Sequence, residues 1–254
     1  MIPNCELITA NDVQFLVFKG NDLITNNLKV NGAYEPELTT IAHKIIGRHK
    51  AGTVLDIGAN MGTFCIPLAK AFPTFHFRAF EPQRIVNYQL SANVIINGLE
   101  NVYVEKLALS NCAWSDRMVV PDYTTETNIG AFSVDEQVRS NEYECATKGR
   151  YEEIIAEPLD RLEIEDFIAL IKIDVEGHEL EVLDGALETI RSNEYPPIIF
   201  EAWTWKPWYA ERRKELFEFL RELGYEITEI GQNNLAQHPK HAELLKLEVV
   251  NDRK

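Results

Sequence analysis

The order of apolar segments predicts an α/β fold: one mostly parallel seven-stranded sheet with helices on both faces. Three observations carry this. From Thr53 onward, short apolar runs alternate with stretches of helical periodicity. The runs are apolar throughout instead of alternating with polar residues, as in strands covered on both faces. Finally, 254 residues, 45% hydrophobic and 26% charged, suit one ordinary globular domain.

The elements follow in order. Val13–Phe18 is an apolar run ended by Lys-Gly-Asn-Asp, a strand and turn. Glu35–Lys50 carries Leu38, Ile41, Ala42, Ile45 and Ile46 at helical spacing. Strands are then expected at Val54–Ile57, Phe75–Phe80, Val102–Leu107, Ile168–Ile173 and Ile198–Glu201. Helices are expected near Phe64–Phe72, Ile85–Asn97, Glu179–Ser192 and Tyr209–Leu223. Tyr225–Ile230 and Leu244–Val250 read as two late strands in a hairpin-like relation that complete the sheet. Residues 1–33 are thus an N-terminal strand-and-turn extension and 34–254 the ligand-binding domain. A polar insertion near 121–150, weak in periodicity, reads as a lid or substrate-binding insertion, with an ordinary surface excursion as the alternative.

Composition narrows the partners. A formal net charge of −15 disfavours the phosphate backbone of nucleic acid, whose recognition is electrostatic. Small-molecule or neutral polar substrates fit better. Met1-Ile-Pro-Asn-Cys-Glu has no signal-peptide pattern, and no apolar stretch approaches the ~18 residues of a membrane span. The four cysteines are scattered without a C-x-x-C pair, so no metal ligands are assigned and a reducing, cytoplasmic compartment is expected. The sequence carries no signal of oligomeric state.

The segment Val54-Leu-Asp-Ile-Gly-Ala-Asn-Met-Gly-Thr-Phe64 is a strand, a tight turn and a helix start. Gly58 and Gly62 permit positive φ and close backbone approach, and Asn60 tolerates similar angles. Any nucleotide-like cofactor suits such a turn, but G-x-x-x-G is not the G-x-G-x-x-G of dinucleotide loops. Asp56, two residues before the first glycine, suits a ligand bearing an ammonium and a sulfonium and would repel a pyrophosphate. Glu81 closes the next strand 23 residues after Gly58, placed to accept both hydroxyls of a ribose. Together they indicate S-adenosylmethionine.

Leu170-Ile-Lys-Ile-Asp174-Val-Glu176-Gly-His178-Glu179 is the second informative block. An apolar strand stops at Asp174, Glu176 and His178, which should share the crevice at the strand ends with Gly58 and Glu81. Lys172 alternates with Ile171 and Ile173 and is expected to pair with an acid. Methyl transfer to a hydroxyl needs a positioned base, for which Asp174 and His178 are the candidates. Asp174 with Glu201, at the next strand end, could instead hold a divalent ion. Helix-end stabilisation alone would also account for Glu176 and Glu179, and capping for His178. Trp203, Trp205, Trp208 and Tyr209 are either an acceptor platform or core; Asn233–His241 reads as a polar stretch near the cleft rim.

These blocks, with Ala79-Phe-Glu-Pro82, Leu107-Ala-Leu-Ser110, Pro158-Leu-Asp160, Gly185 and Ile199-Phe-Glu201, resemble the FkbM family of S-adenosylmethionine-dependent methyltransferases over about Tyr34–Trp203. The resemblance implies the class I methyltransferase (Rossmann-like) fold and methylation of a hydroxyl on a small molecule or saccharide. It implies cofactor contacts at Asp56, Gly58, Ala59, Asn60, Gly62 and Glu81, with Ala108 and Leu109 near the adenine. Tyr34 and Glu35 would close over the methionine end, while the residue chemistry itself makes Asp174, Glu176, His178 and Glu201 the catalytic candidates. His178 and the insertion depart from the family pattern, where an acceptor would be chosen. A cofactor-binding module without turnover and an N-methyltransferase of macromolecules are the competing readings. A nicotinamide oxidoreductase is disfavoured by the missing G-x-G-x-x-G.

Overall fold

The computed structural model describes residues 4–20, 22–121, 123, 129–130, 132–142, 151–164, 166–241 and 245. The chain opens with a hairpin, β1 (Cys5–Ala10) and β2 (Val13–Phe18), paired antiparallel. Two helices follow, α1 (Leu23–Asn31) and α2 (Pro36–Ile46). Asp22 caps α1 by accepting the Thr25 N–H at 2.9 Å. Residues 1–33, expected as an extension with one strand, therefore hold a hairpin and a helix. Val13, Phe15, Val17, Ile24 and Leu28 bury into the main core.

The α/β alternation then runs β3 (Gly52–Ile57), α3 (Cys65–Ala71), β4 (Phe75–Phe80), α4 (Arg84–Ile96), β5 (Val102–Glu105). A short β6 (Ala108–Leu109), β7 (Trp114–Val119), α5 (Glu136–Glu142) and β8 (Tyr151–Glu157) come next. The chain continues with β9 (Ile168–Ile173), α6 (Glu179–Asp184), α7 (Leu187–Ser192), β10 (Ile198–Glu201), α8 (Ala210–Glu222), β11 (Glu226–Ile230) and β12 (Asn233–Gln237).

The main sheet has seven strands in the order β11-β12-β10-β9-β3-β4-β5. Strands β10, β9, β3, β4 and β5 are mutually parallel, and β12 and β11 add antiparallel pairs. Every residue of β3 and β9 is buried, as their mostly apolar sequences require, including Asp56 and Lys172. Alternate side chains feed opposite layers. Val54 packs with Leu38, Ile41 and Ile45 of α2 on one face. Leu55, Ile57, Ile171 and Ile173 pack with Val182, Leu183, Leu216 and Leu220 on the other. The chain moves outward from β3 to one edge and from β9 to the other, so the order reverses between them. Open α/β sheets bind ligands at the carboxyl ends of strands at such a point.

Three expectations are corrected and a fourth falls where the structure is not described. The helix expected over Glu179–Ser192 is two, α6 and α7, broken at Gly185, where a Cβ would stand 2.0 Å from the Ser110 carbonyl oxygen. The strand expected to Leu107 ends at Glu105. The polar stretch from Asn233 is a buried strand, β12, between β10 and β11. The strand expected at Leu244–Val250 lies, apart from Leu245, outside the described residues. The insertion connects β7 to β8, which pair antiparallel in a separate three-stranded sheet with β6. Among the described residues no helix is long and apolar enough to cross a membrane.

Candidate active site

The turns after β3, β4 and β9 meet at the order reversal. Beyond β3 the N–H groups of Gly58 and Ala59 both donate to the Phe80 carbonyl at 3.0 Å, folding the turn onto the end of β4. Gly58 has φ +79°, and a Cβ there would stand 1.8 Å from the Asp174 carbonyl oxygen. Only glycine allows the turns after β3 and β9 to approach this closely. Asn60 follows in the left-handed region at φ +50°.

Glu81 is 5% exposed. Its Oε2 accepts the Asn60 N–H at 3.1 Å and its Oε1 the Gln83 N–H at 2.9 Å. Burial pushes its carboxyl up to about 7, against the pull of those two amides. The cleft beside it is lined by Gly58, Ala59, Asn60, Thr63, Phe64 and Glu81, by the apolar strip Ile57, Phe80, Leu107, Ala108 and Leu109, and by Tyr34, Glu35, Lys172, Asp174 and Glu176. Its empty space, counted together with the solvent-open mouth, is about 1010 Å³.

Lys172 is the cation beneath this floor. Its Nζ stands 3.2 Å from Asp174 Oδ2 and 3.5 Å from Asp56 Oδ1, and donates to the Gly58 carbonyl at 3.2 Å. Burial opposes its charge, but Asp174, Asp56 and Glu35 outweigh burial and hold it well above the usual lysine range. Burial raises the Asp56 carboxyl, with Lys172 acting against the rise. The expected pairing of Lys172 with an acid is thus present, twice over.

Three carboxylates, Asp174, Glu176 and Glu201, each offer an oxygen within 4.8 Å of the others, a spacing that also suits an oxygen-preferring divalent ion. Burial, Asp174 and Glu179 push Glu176 well above the carboxylate range; burial, Asp174 and Glu176 do the same to Glu201. Glu176 sits at φ +56°, an unfavourable angle for a residue with a side chain. Glu179 braces this loop from below, 1% exposed. Its Oε1 accepts the N–H groups of Val175 and Gly177, both at 3.1 Å, and its Oε2 the Tyr209 hydroxyl at 3.1 Å. Burial pushes Glu179 up to about 7.

Most of the expected residues line the cleft; Glu201 stands behind them beside Asp174 and Glu176, and three others do not line it. Asp56 is 0% exposed and faces Lys172 beneath the turn instead of lining the cleft. Gly62 is a packing glycine: a Cβ would stand 2.5 Å from Ile66 Cδ1 and 2.7 Å from Leu90 Cδ1. His178 points away from the cleft, its Nε2 3.0 Å from Ser110 Oγ and its Nδ1 toward Asp135 and Glu181. It is therefore corrected as a base for this cleft. Trp203 and Tyr209 are core residues at 3% and 2% exposure, while Trp205 is 49% exposed.

Other site residues come from two stretches that the sequence marked only as a whole, the polar run from Asn233 and the insertion. Asn233 donates to Glu35 Oε1 at 3.0 Å from the start of β12. Gly130, Phe132 and Val134 of the insertion close one side of the cleft. A Cβ at Gly130 would stand 2.1 Å from Asn60 Nδ2, so this backbone lies directly against the glycine turn.

A family model described as the methyltransferase FkbM domain matches residues 56–227. Methyltransferase sdnD of Sordaria araneosa is 26% identical over 204 residues, 69% of this chain and 74% of that protein. The AMB antimetabolite synthetase AmbE of Pseudomonas aeruginosa is 25% identical over 214 residues, again 69% of this chain but 10% of that protein. Among solved structures, precorrin-6y C5,15-methyltransferase from Geobacter metallireducens superposes with a TM-score of 0.47 at 16% identity, covering 80% of this chain and 88% of its own.

Proposed function

The chain belongs to the FkbM methyltransferase domain family, and from that premise we propose that its cleft binds S-adenosylmethionine and methylates a hydroxyl of a small molecule or saccharide. The observation that supports this best is the shared cleft. Asn60, Glu81, Ala108 and Leu109 line one part of it and Asp174 and Glu176 another. The fit to the cofactor rests on the chemistry of this lining. Glu81 offers a buried carboxylate to a ribose diol, and Phe80, Leu107, Ala108 and Leu109 offer an apolar bed to a flat base. The carboxyls of Glu35, Glu81, Asp174 and Glu176 outnumber Lys172 at the walls, and a sulfonium and an ammonium would draw the raised ones back toward their ionised form, as a pyrophosphate would not.

When bound, S-adenosylmethionine supplies an activated methyl group. The protein's part is to place the acceptor oxygen in line and remove its proton. Asp174 is held by Lys172, so its role is to orient the acceptor. Glu176 lines the cleft and is freed from any ion pair with Lys172; it takes the hydroxyl proton. Positive charge entering the cleft acts against the upward shift of Glu176 and favours the ionised form a base requires. Glu201 supports it from the adjoining strand end. The synthetase named among the relatives is in keeping with a small-molecule acceptor.

The test has two stages. Calorimetry should give one-to-one binding of S-adenosylmethionine and of its demethylated product. Labelled cofactor, offered with a panel of hydroxylated small molecules and sugars, should then deliver label to an alkali-stable ether. Absence of heat with both cofactor forms would sink the proposal.

A further inference from the structure

We propose that Asp135, His178 and Glu181 form a binding site for a first-row divalent metal ion, which clasps the insertion to the head of α6. The three residues each offer a ligand atom, all within 4.8 Å of one another. His178 Nδ1 stands 3.6 Å from Asp135 Oδ2 and 3.6 Å from Glu181 Oε2. That is too long for hydrogen bonds, but close to the edge of a coordination polyhedron. Metal–ligand bonds of ~2.0–2.2 Å place tetrahedral ligand atoms ~3.4 Å apart.

Two of the converging atoms have no hydrogen-bond partner. His178 is 8% exposed, and both its Nδ1 and Glu181 Oε2 are buried and unsatisfied. Buried polar atoms are otherwise nearly always partnered, and here two face the same point. The surroundings resemble the outer shell of a metal site. Ser110 Oγ lies 3.0 Å from His178 Nε2, so the Nε2–H can donate to it and leave the Nδ1 lone pair free. Arg212 Nη2 donates to Asp135 Oδ2 at 3.0 Å and to Glu181 Oε1 at 2.9 Å, which aims both carboxylates. With a neutral imidazole, the two carboxylates outweigh the one guanidinium, so the set carries net negative charge. One imidazole and two carboxylates suit zinc, cobalt or manganese better than calcium or magnesium.

The placement gives the ion a task. Asp135 caps α5, its Oδ1 accepting the Gln137 and Val138 N–H groups at 2.8 and 3.1 Å. His178 and Glu181 belong to the start of the helix that follows Asp174 and Glu176. A shared ion would therefore fasten the insertion wall to the loop carrying the proposed base.

The test uses the full chain stripped with chelator and titrated calorimetrically with Zn²⁺ and, separately, Co²⁺. One-to-one binding is expected, with visible Co²⁺ absorption bands of a nitrogen- and oxygen-liganded ion. His178→Ala and Glu181→Gln should each weaken binding at least ~10-fold, while Glu201→Gln leaves it unchanged. Glu181→Gln keeps shape and size, so it decides the matter should His178→Ala fail to fold. No binding by wild-type protein overturns the proposal: the cluster is then an imidazole held between two acids. Loss confined to Glu201→Gln also overturns it, since the ion then sits on the acceptor-side carboxylates. Cofactor binding by the stripped protein is measured in parallel, so this outcome is separate from that of the methyltransferase reading.

Discussion

Glu81→Gln is the most informative perturbation of the cofactor half of the cleft. The carboxyl is pushed up to about 7 by burial, and the ionised form is the one that accepts both ribose hydroxyls. Affinity for the cofactor should therefore rise with pH through that value. With a pKa near 7, about a tenth of Glu81 is ionised at pH 6 and about nine tenths at pH 8. Affinity should thus grow about tenfold over the interval, ~1.4 kcal/mol. The glutamine amide that replaces the carboxylate has one acceptor oxygen, and its nitrogen would face a backbone N–H of Asn60 or Gln83. Losing a charge-assisted bond costs ~1.5–3 kcal/mol, roughly a 10- to 150-fold weakening at pH 8. The assay is calorimetry with S-adenosylhomocysteine at pH 6, 7 and 8 and constant ionic strength. A Glu81→Gln protein that binds within twofold of wild type at pH 8, or that keeps the wild-type pH slope, refutes the reasoning.

Three further predictions address the rest of the site. Glu176→Gln should lower kcat by ~10²- to 10⁴-fold while leaving cofactor affinity within about threefold; a change in affinity alone would remove Glu176 from the base role. Lys172→Met leaves Asp56 buried without its cation and should cost ~3–5 kcal/mol in denaturant unfolding. The double variant Lys172→Met/Asp56→Asn should recover much of that, and a fully stable single variant would contradict the pairing. Glu179, also near 7 in the folded chain, stabilises fully below its unfolded value near 4.5 and loses that contribution as pH rises through 7. A glutamine side chain there can accept both amides through its oxygen and donate to the Tyr209 oxygen. Glu179→Gln should thus match wild type near pH 5 and be more stable by ~1–3 kcal/mol at pH 8, as read from thermal melts.

Much of this architecture is legible in the sequence because burial on both faces writes a strand as an unbroken apolar run. Val54–Ile57 and Ile168–Ile173 are such runs but for one charged residue each, Asp56 and Lys172, and each ends in the turn that builds the site. Positive φ is legible too: Gly58 and Asn60 are residue types that tolerate it, and both adopt it. The direction in which a polar side chain points is far less legible. Asp56 and Lys172 occupy neighbouring central strands in register, and their attraction turns the aspartate under the floor instead of into the cleft. His178 follows a loop whose Glu176 and Gly177 both take positive φ, which rotates the imidazole toward the insertion. Asn233–Gln237 hid as a strand because its buried edge is lined by amides, as Asn234 Nδ2 donating to the Phe200 carbonyl at 3.4 Å illustrates. The walls supplied by Gly130, Phe132 and Val134 rest on contacts remote in sequence, without periodicity to announce them.

A structure of the chain with S-adenosylhomocysteine bound tests the central claim most directly. The account predicts the ribose hydroxyls on the Glu81 carboxylate, the adenine against Ala108 and Leu109, and the sulfur facing Asp174 and Glu176. A ligand lying elsewhere, or a Glu81 carboxylate out of hydrogen-bond reach of the ribose, would contradict it.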